Sequence, residues 1–113
     1  RRNSPWVSGP FMVMPDAQPE PIAGIDAVIA WVKKAMDGCT SVHHGHMPDI
    51  VFTSDTTATV IWAMEDQVHW PKPLPTGHSH IHGWGHYREI YVKLPGGWRI
   101  QDCRLTRLRV EWS

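Results

Sequence analysis

The feature that most constrains the fold is a series of strand-like runs that fills the chain from residue 42 to residue 112. The runs are rich in β-branched and aromatic residues, and prolines, glycines and other turn-forming residues separate them. A Pro-Gly-Gly turn at residues 95–97 joins the last two runs and predicts a hairpin. The runs cover residues 42–52, 56–70, 84–94 and 98–111. They predict a four-stranded antiparallel sheet.

One amphipathic helix is predicted before the strands. Apolar residues recur at spacings of three and four over residues 25–37, Asp26 stands where a cap is expected, and Gly38 ends the run. Five prolines among residues 1–23 exclude a helix there and allow only short extended pieces. The helix is therefore the only element predicted to cover a face of the sheet.

Length and composition fit a single α+β domain. The chain has 113 residues, 42% of them apolar, with 11 basic and 11 acidic side chains. This is enough for one modest core and too little for a second domain. The predicted parts of the domain, residues 1–113, are a proline-rich strap over 1–23, a helix over 24–38 and a sheet over 42–112.

The charge pattern excludes several classes of partner. Balanced charge gives no footprint for nucleic acid or anionic lipid. No apolar run approaches the ~20 residues that span a bilayer, and the N-terminal residues do not form a secretory signal. We therefore expect a cytoplasmic protein. Cys39 and Cys103 are predicted as free thiols, although spacing alone leaves a bridge between them open.

A histidine and a carboxylate occur in neighbouring strand-like runs. His43 opens the first run and Asp66 lies inside the second, while His44 points to the opposite face if the strand is regular. Imidazole exchanges protons near neutral pH, so a histidine beside a carboxylate favours acid–base chemistry. The alternative is structural: a sheet histidine bonded to backbone, and a strand-end carboxylate in solvent.

Residues 22–112 resemble the SnoaL-like branch of the nuclear transport factor 2-like superfamily, near bile acid 7α-dehydratase-like and scytalone dehydratase-like proteins. The resemblance implies a cystatin-like cone, in which a strongly curved antiparallel sheet wraps a helical layer and leaves a deep apolar pocket. Family members usually begin with about two further helices; nothing in residues 1–23 matches them, so we expect these helices to be missing from this chain. The matching motifs are Val42-His43-His44-Gly45-His46-Met47-Pro48, Met64-Glu65-Asp66, Gly85-His86-Tyr87 and Gly96-Gly97-Trp98-Arg99-Ile100.

The resemblance assigns roles to four residues. His43 corresponds to the histidine that takes a proton beside the leaving hydroxyl, and Asp66 to the acidic residue that orients or stabilises it. Arg107 corresponds to an arginine that holds a carboxylate, thioester or carbonyl oxygen. Tyr87 either presents a phenol to the pocket or packs as an ordinary sheet tyrosine.

Together these features favour a dehydratase or isomerase that needs no cofactor and acts on a hydrophobic polycyclic, steroid-like or polyketide-like substrate. Trp62, Met64 and Trp84 are the predicted substrate-binding residues, since seven tryptophans suggest either a dense core or aromatic pocket walls. The resemblance also implies a homo-oligomer, a dimer or trimer.

Two other functions stay open. One is a binding module of the same fold that holds a hydrophobic ligand or a partner without turnover. The other is a metal-binding protein, since alternate histidines on an extended segment face the same way and imidazole binds zinc, nickel or copper. The proline-rich run before these histidines predicts an exposed insert, and no native metal site is expected. The histidines are His78, His80, His82 and His86.

Overall fold

The computed structural model of this protein describes residues 12–14 and 22–113. One helix and six strands lie in these residues. They are β1 (Met12–Met14), β2 (Ile22–Ala23), α1 (Ile25–Ala35), β3 (Thr40–Ser54), β4 (Thr57–His69), β5 (His80–Leu94) and β6 (Gly97–Trp112).

All six strands form one sheet in the order β2-β1-β6-β5-β4-β3. The four long strands pair antiparallel, as predicted, and β1 adds to the edge of β6 in the parallel direction. The two short strands are extended pieces of the kind predicted for the strap. The rest of that prediction, and the expectation that further helices are missing, concern residues 1–11 and 15–21, which lie outside the described part of the chain.

The helix begins one residue earlier than the predicted cap and ends two residues before the predicted end. Gly24 is the N-cap, with φ of 88°, a conformation that glycine adopts without strain. Asp26 lies in the first turn, where its charge suits the helix dipole, and is not the cap. Val28 is the buried residue of the helix and packs with Ile22 and Val92.

The sheet has two distinct faces because successive side chains on a strand alternate. We call the inner face the one that bears Asp66, and the outer face the one that bears Glu65. The inner face holds most of the buried side chains, so it forms the core. These are Ala58, Val60, Met64, Asp66 and Val68 on β4, Ile81 on β5, and Ile100 and Cys103 on β6.

Four register shifts bend the long strands, two between β3 and β4 and two between β5 and β6. Each shift gives a strand a local bend and extra twist, so the sheet curves, as the family resemblance implies. The curved antiparallel sheet with one helix confirms the predicted fold class. Cys39 and Cys103 are free thiols, which confirms the cysteine prediction. In the described residues, no helix is long and apolar enough to cross a membrane.

The start of β5 differs from the prediction. The strand begins at His80, four residues before the predicted start at residue 84. Backbone hydrogen bonds from Ser79 and His80 to the carbonyl of Ser113 draw this segment into the sheet. His80 and His82 are therefore partly buried strand residues and do not lie in an exposed insert.

Candidate active site

His43 and Asp66 face each other across β3 and β4 on the inner face. His43 Nε2 lies 3.7 Å from Asp66 Oδ2, too far for a direct hydrogen bond but close enough for a charge interaction when the imidazole is protonated. The Asp66 side chain is 5% exposed, and that of His43 is 43% exposed. The structure therefore brings these two predicted residues together, with the histidine open to solvent. His44 pairs with Glu65 on the outer face, as the alternation predicts.

Arg107 binds Asp66 through both terminal nitrogens. Its Nη2 donates to Asp66 Oδ2 at 2.9 Å, and its Nη1 donates to Asp66 Oδ1. Two parallel bonds between a guanidinium and a carboxylate fix both groups in orientation. Arg107 was expected to hold a substrate oxygen; in the structure its two terminal nitrogens bind Asp66.

Because Gly83 has no side chain, there is space for this ion pair. This glycine lies between the two partners, opposite Asp66 on the central strand β5. A Cβ at Gly83 would stand 2.7 Å from Asp66 Oδ1 and 2.8 Å from Arg107 Cζ, closer than real Cβ atoms approach such groups. The side chain of Arg107 thus reaches from β6 to β4 only because this position of β5 has no side chain.

A β-bulge aims Arg107 at this space. The β5–β6 register shifts between Trp84 and Gly85, so that Gly85 pairs with Arg107 and Trp84 pairs with Arg109. A Cβ at Gly85 would stand 3.0 Å from Arg107 Cα and would meet the Thr106 carbonyl oxygen still closer. The strands can therefore approach closely here only with glycine, and the bulge turns Arg107 to the inner face.

Tyr87 lies on the same face, opposite Trp62 on β4. Burial raises the pKa of Tyr87 to about 12, and the nearby charge of Asp66 acts in the same direction. The phenol therefore keeps its proton at neutral pH and can donate a hydrogen bond. Tyr87 is thus a neutral donor on the same face as the Asp66–Arg107 pair, and the charges of both residues influence its pKa.

The three predicted substrate-binding residues lie in different places. Trp62 lines a cavity on the inner face. Met64 is 2% exposed and lies under Arg107, with 3.8 Å between Met64 Sδ and Arg107 Nη1. Trp84 points to the outer face, where it stacks on His82 with ring centroids 4.0 Å apart. The structure thus places one of the three beside a cavity and separates Trp84 from His43 by the sheet itself.

The cavity has a volume of about 230 Å³ and an almost wholly apolar lining. The cavity and Asp66 are at different positions along β4. Trp62, in the cavity lining, and Asp66 are four residues apart on this strand, or roughly 13 Å. Of the cavity lining only Trp62 was predicted as a binding residue, because the walls are formed by four strands, β3 to β6, that meet only in the folded sheet. The lining residues are Ile50, Phe52, Ala58, Val60, Trp62, Tyr91 and Trp98.

Two of the four histidines considered for a metal site, His80 and His82, bond other side chains. His82 Nε2 lies 2.6 Å from Glu65 Oε2, and His80 bonds Gln67 and Ser113 through its two ring nitrogens. Nowhere in residues 22–113 do three or more His, Cys, Asp or Glu side chains converge as metal ligands would. The observed contacts therefore give the metal-binding alternative no support.

A family model described as a SnoaL-like domain matches residues 9–104. The match covers most of the chain, and it spans β1 to the first half of β6. This chain belongs to the SnoaL-like domain family, as the sequence motifs indicated.

Solved structures show the same fold. A candidate scytalone dehydratase from Novosphingobium aromaticivorans DSM 12444 matches with a TM-score of 0.77 and 21% identity, over 94% of this chain and 68% of that one. A candidate dehydratase of the nuclear transport factor 2-like family from Streptomyces avermitilis matches with a TM-score of 0.71 and 13% identity, over 90% and 70%. Hexachlorocyclohexane dehydrochlorinase LinA-type3 from Novosphingobium barchaimii LL02 matches with a TM-score of 0.74 and 11% identity, over 96% and 71%. The fold is therefore nuclear transport factor 2-like, which confirms the predicted resemblance.

Proposed function

We propose that this protein is a lyase or isomerase that removes a proton beside a carbonyl group and works without a cofactor. The observation that supports this most directly is the opposition of His43 and Asp66 on the inner face, 3.7 Å apart. An accessible imidazole beside a buried carboxylate has the means to accept a proton and to stabilise the resulting positive charge.

In the proposed step, His43 Nε2 keeps its proton toward Asp66, and Nδ1 takes a proton from the carbon next to the substrate carbonyl. The electron pair of that C–H bond forms an enolate. The imidazolium then protonates a hydroxyl group on the next carbon, and the enolate electrons expel it as water. The products are an unsaturated ketone and one water molecule, and His43 is neutral again. In an isomerase the same proton returns to a different carbon.

In this proposal Asp66 and Tyr87 stabilise different charges. Asp66, fixed by Arg107, stabilises the imidazolium across 3.7 Å. Because both terminal nitrogens of Arg107 are bound to Asp66, the developing enolate oxygen is assigned to the phenol of Tyr87. Arg107 thus acts by positioning Asp66, which revises its expected contact with the substrate.

Two neighbours in fold support an elimination reaction by their names. A dehydratase removes water and a dehydrochlorinase removes hydrogen chloride, and both names denote loss of a small molecule from an organic substrate. The apolar surface around Trp62 favours a hydrophobic substrate, and the polycyclic class stays part of the proposal.

A substrate screen tests the proposed function. Polycyclic ketones with a hydroxyl group on the second carbon from the carbonyl would be incubated with the protein, and loss of water followed by absorbance and mass. The variant His43→Ala is expected to lose at least about a hundredfold in rate. His44→Ala, the adjacent residue on the outer face, is the matched control and should keep full activity. Turnover retained by His43→Ala would remove this residue from the mechanism.

A binding module without turnover is the second candidate. The cavity favours it, because it lies roughly 13 Å along the strand from Asp66 and has no charged side chain in its lining. This candidate predicts that hydrophobic ligands bind and are recovered unchanged, and that affinity is the same in wild type and His43→Ala.

A further inference from the structure

One aromatic side chain from each of the four long strands borders the cavity. Phe52 comes from β3, Trp62 from β4, Tyr91 from β5 and Trp98 from β6. Phe52 and Trp98 stand edge to face, with ring centroids 5.9 Å apart and planes at 61°. The planes of Phe52 and Trp98 are therefore steeply inclined to each other. The cavity that the four side chains border has a volume of about 230 Å³.

A carboxylate, Glu89, lies beside these rings. It is on the inner face of β5, opposite Val60 of the cavity wall and opposite Cys103 of β6. The Tyr91 hydroxyl donates to Glu89 Oε1 at 3.0 Å. Hydrogen bonding from Tyr91, Cys103 and Trp62 lowers the pKa of Glu89, but burial raises it more. Tyr91 and Val60 both line the cavity, so Glu89 lies beside its aromatic lining.

Asp66 and Glu89, both on the inner face, differ in the groups that stabilise their negative charge. Asp66 is bound by the guanidinium of Arg107, a full positive charge. Glu89 accepts a hydrogen bond from the neutral phenol of Tyr91, and the thiol of Cys103 and the indole of Trp62 are the other groups that lower its pKa. Burial raises the pKa of Tyr91 and of Cys103 to about 12 each, so both stay protonated and add no charge. A carboxylate held in this way is stabilised by any cation that enters the cavity.

Aromatic faces attract cations through the negative potential of the ring, most strongly for indole. An alkylated ammonium group suits this lining better than a primary one, because it presents a positive charge without N–H donors that the apolar walls would leave unbonded. Lys93, opposite Trp98 at the end of the hairpin, is exposed and is not part of the lining.

We propose that the cavity is an aromatic cage for an alkylated ammonium group, with Glu89 as its counter-charge. The site recognises the charge and the size of the group. This inference goes beyond the proposed acid–base function and does not depend on His43, so either can fail without the other.

Choline and 3,3-dimethylbutan-1-ol test the cage, because the two molecules share a shape and only choline is charged. Binding would be measured by ¹H–¹⁵N NMR titration, following the indole signals of Trp62 and Trp98, each assigned by its Trp→Phe variant. Choline is expected to bind about tenfold more tightly than the neutral probe. In Glu89→Gln, which keeps an acceptor for Tyr91, this preference should fall to about threefold or less. Glu65→Gln on the outer face is the matched control and should leave the preference unchanged.

The inference is overturned if the two probes bind equally, or if neither shifts the indole signals. It is also overturned if Glu89→Gln keeps the full preference for choline. Trp98→Leu provides an independent readout in which Glu89 is intact: choline binding should weaken at least about threefold, while the neutral probe should be affected less.

Discussion

Gly83 lies directly opposite Asp66 in the β4–β5 ladder, and its missing side chain is what allows Arg107 to reach that carboxylate. Asp66 is therefore fixed by a residue two strands away in the sheet, with β5 passing between them. His43 lies opposite Asp66 on β3, the other strand next to β4. His43, Asp66 and Gly83 thus form one row of the sheet, which Arg107 enters from its place opposite Gly85, and the glycine at position 83 determines the geometry.

The variant Gly83→Ala should disrupt the Asp66–Arg107 pair. Its Cβ would stand 2.7 Å from Asp66 Oδ1, so one partner must move and leave a buried charge without compensation. We expect a loss of about 3 kcal/mol in the free energy of unfolding, measured by urea denaturation. Gly45→Ala is the control, since its Cβ would make only an ordinary contact, 3.6 Å from Trp62 Cε3. Equal stability of Gly83→Ala and wild type would contradict the assigned role of Gly83.

Removing Arg107 alone should cost more than removing the whole pair. Arg107→Met leaves Asp66 buried and uncompensated, which we expect to lower the free energy of unfolding by about 3–5 kcal/mol. In the double variant Asp66→Leu/Arg107→Met no charge remains, and most of this loss should be recovered. A double variant at least as unstable as Arg107→Met would show that the two side chains do not act as a pair.

Tyr87→Phe should lower kcat about a hundredfold and change KM little, because the phenol is proposed to bind the oxygen only as charge develops. The pKa of Tyr87 is raised to about 12, so the phenol stays protonated well above neutral pH. Ionisation of this phenol should therefore cause no loss of wild-type activity near pH 10. Wild type and Tyr87→Phe should have the same pH dependence in this range. A rise in KM at unchanged kcat would instead assign Tyr87 to uniform substrate binding.

Glu89 should make the stability of the protein depend on pH. Burial raises its pKa above the ordinary value of 4.5, so the folded protein holds this proton more tightly than the unfolded chain does. The stabilisation is fully present below the unfolded pKa and is lost as the pH rises through the folded pKa. The free energy of unfolding of wild type relative to Glu89→Gln should therefore fall as the pH rises above the ordinary carboxyl pKa of 4.5. A difference that is constant or rises above this pH would be incompatible with a buried, unneutralised Glu89.

Alternation along the strands made much of the fold predictable. A period of two placed His43 and His44 on opposite faces without knowledge of the partner strand, and the family resemblance indicated that His43 faces the pocket. Compatible strand lengths and turns then brought His43 opposite Asp66. The helix was predictable from its spacing, but its cap was not, because Gly24 takes that position without a side-chain signal.

The remainder depends on features that a single strand does not reveal. The partner of Arg107 depends on the bulge beside Trp84, which shifts the β5–β6 register. The face of Trp84 had a local signal: glycines at 83 and 85 occupy one face of the strand, so the tryptophan between them must occupy the other. Glu89 and Tyr91 are also two residues apart, which predicts a shared face, but their cavity appears only when four strands meet.

Proton removal by His43 is the central claim, and solvent deuterium incorporation measures it most directly. A polycyclic ketone from the screen would be incubated in D₂O, and exchange at the carbon next to its carbonyl followed by NMR, with or without completed elimination. The account predicts exchange in wild type and in His44→Ala, and a loss of at least about a hundredfold in His43→Ala. Exchange at the wild-type rate in His43→Ala would contradict it.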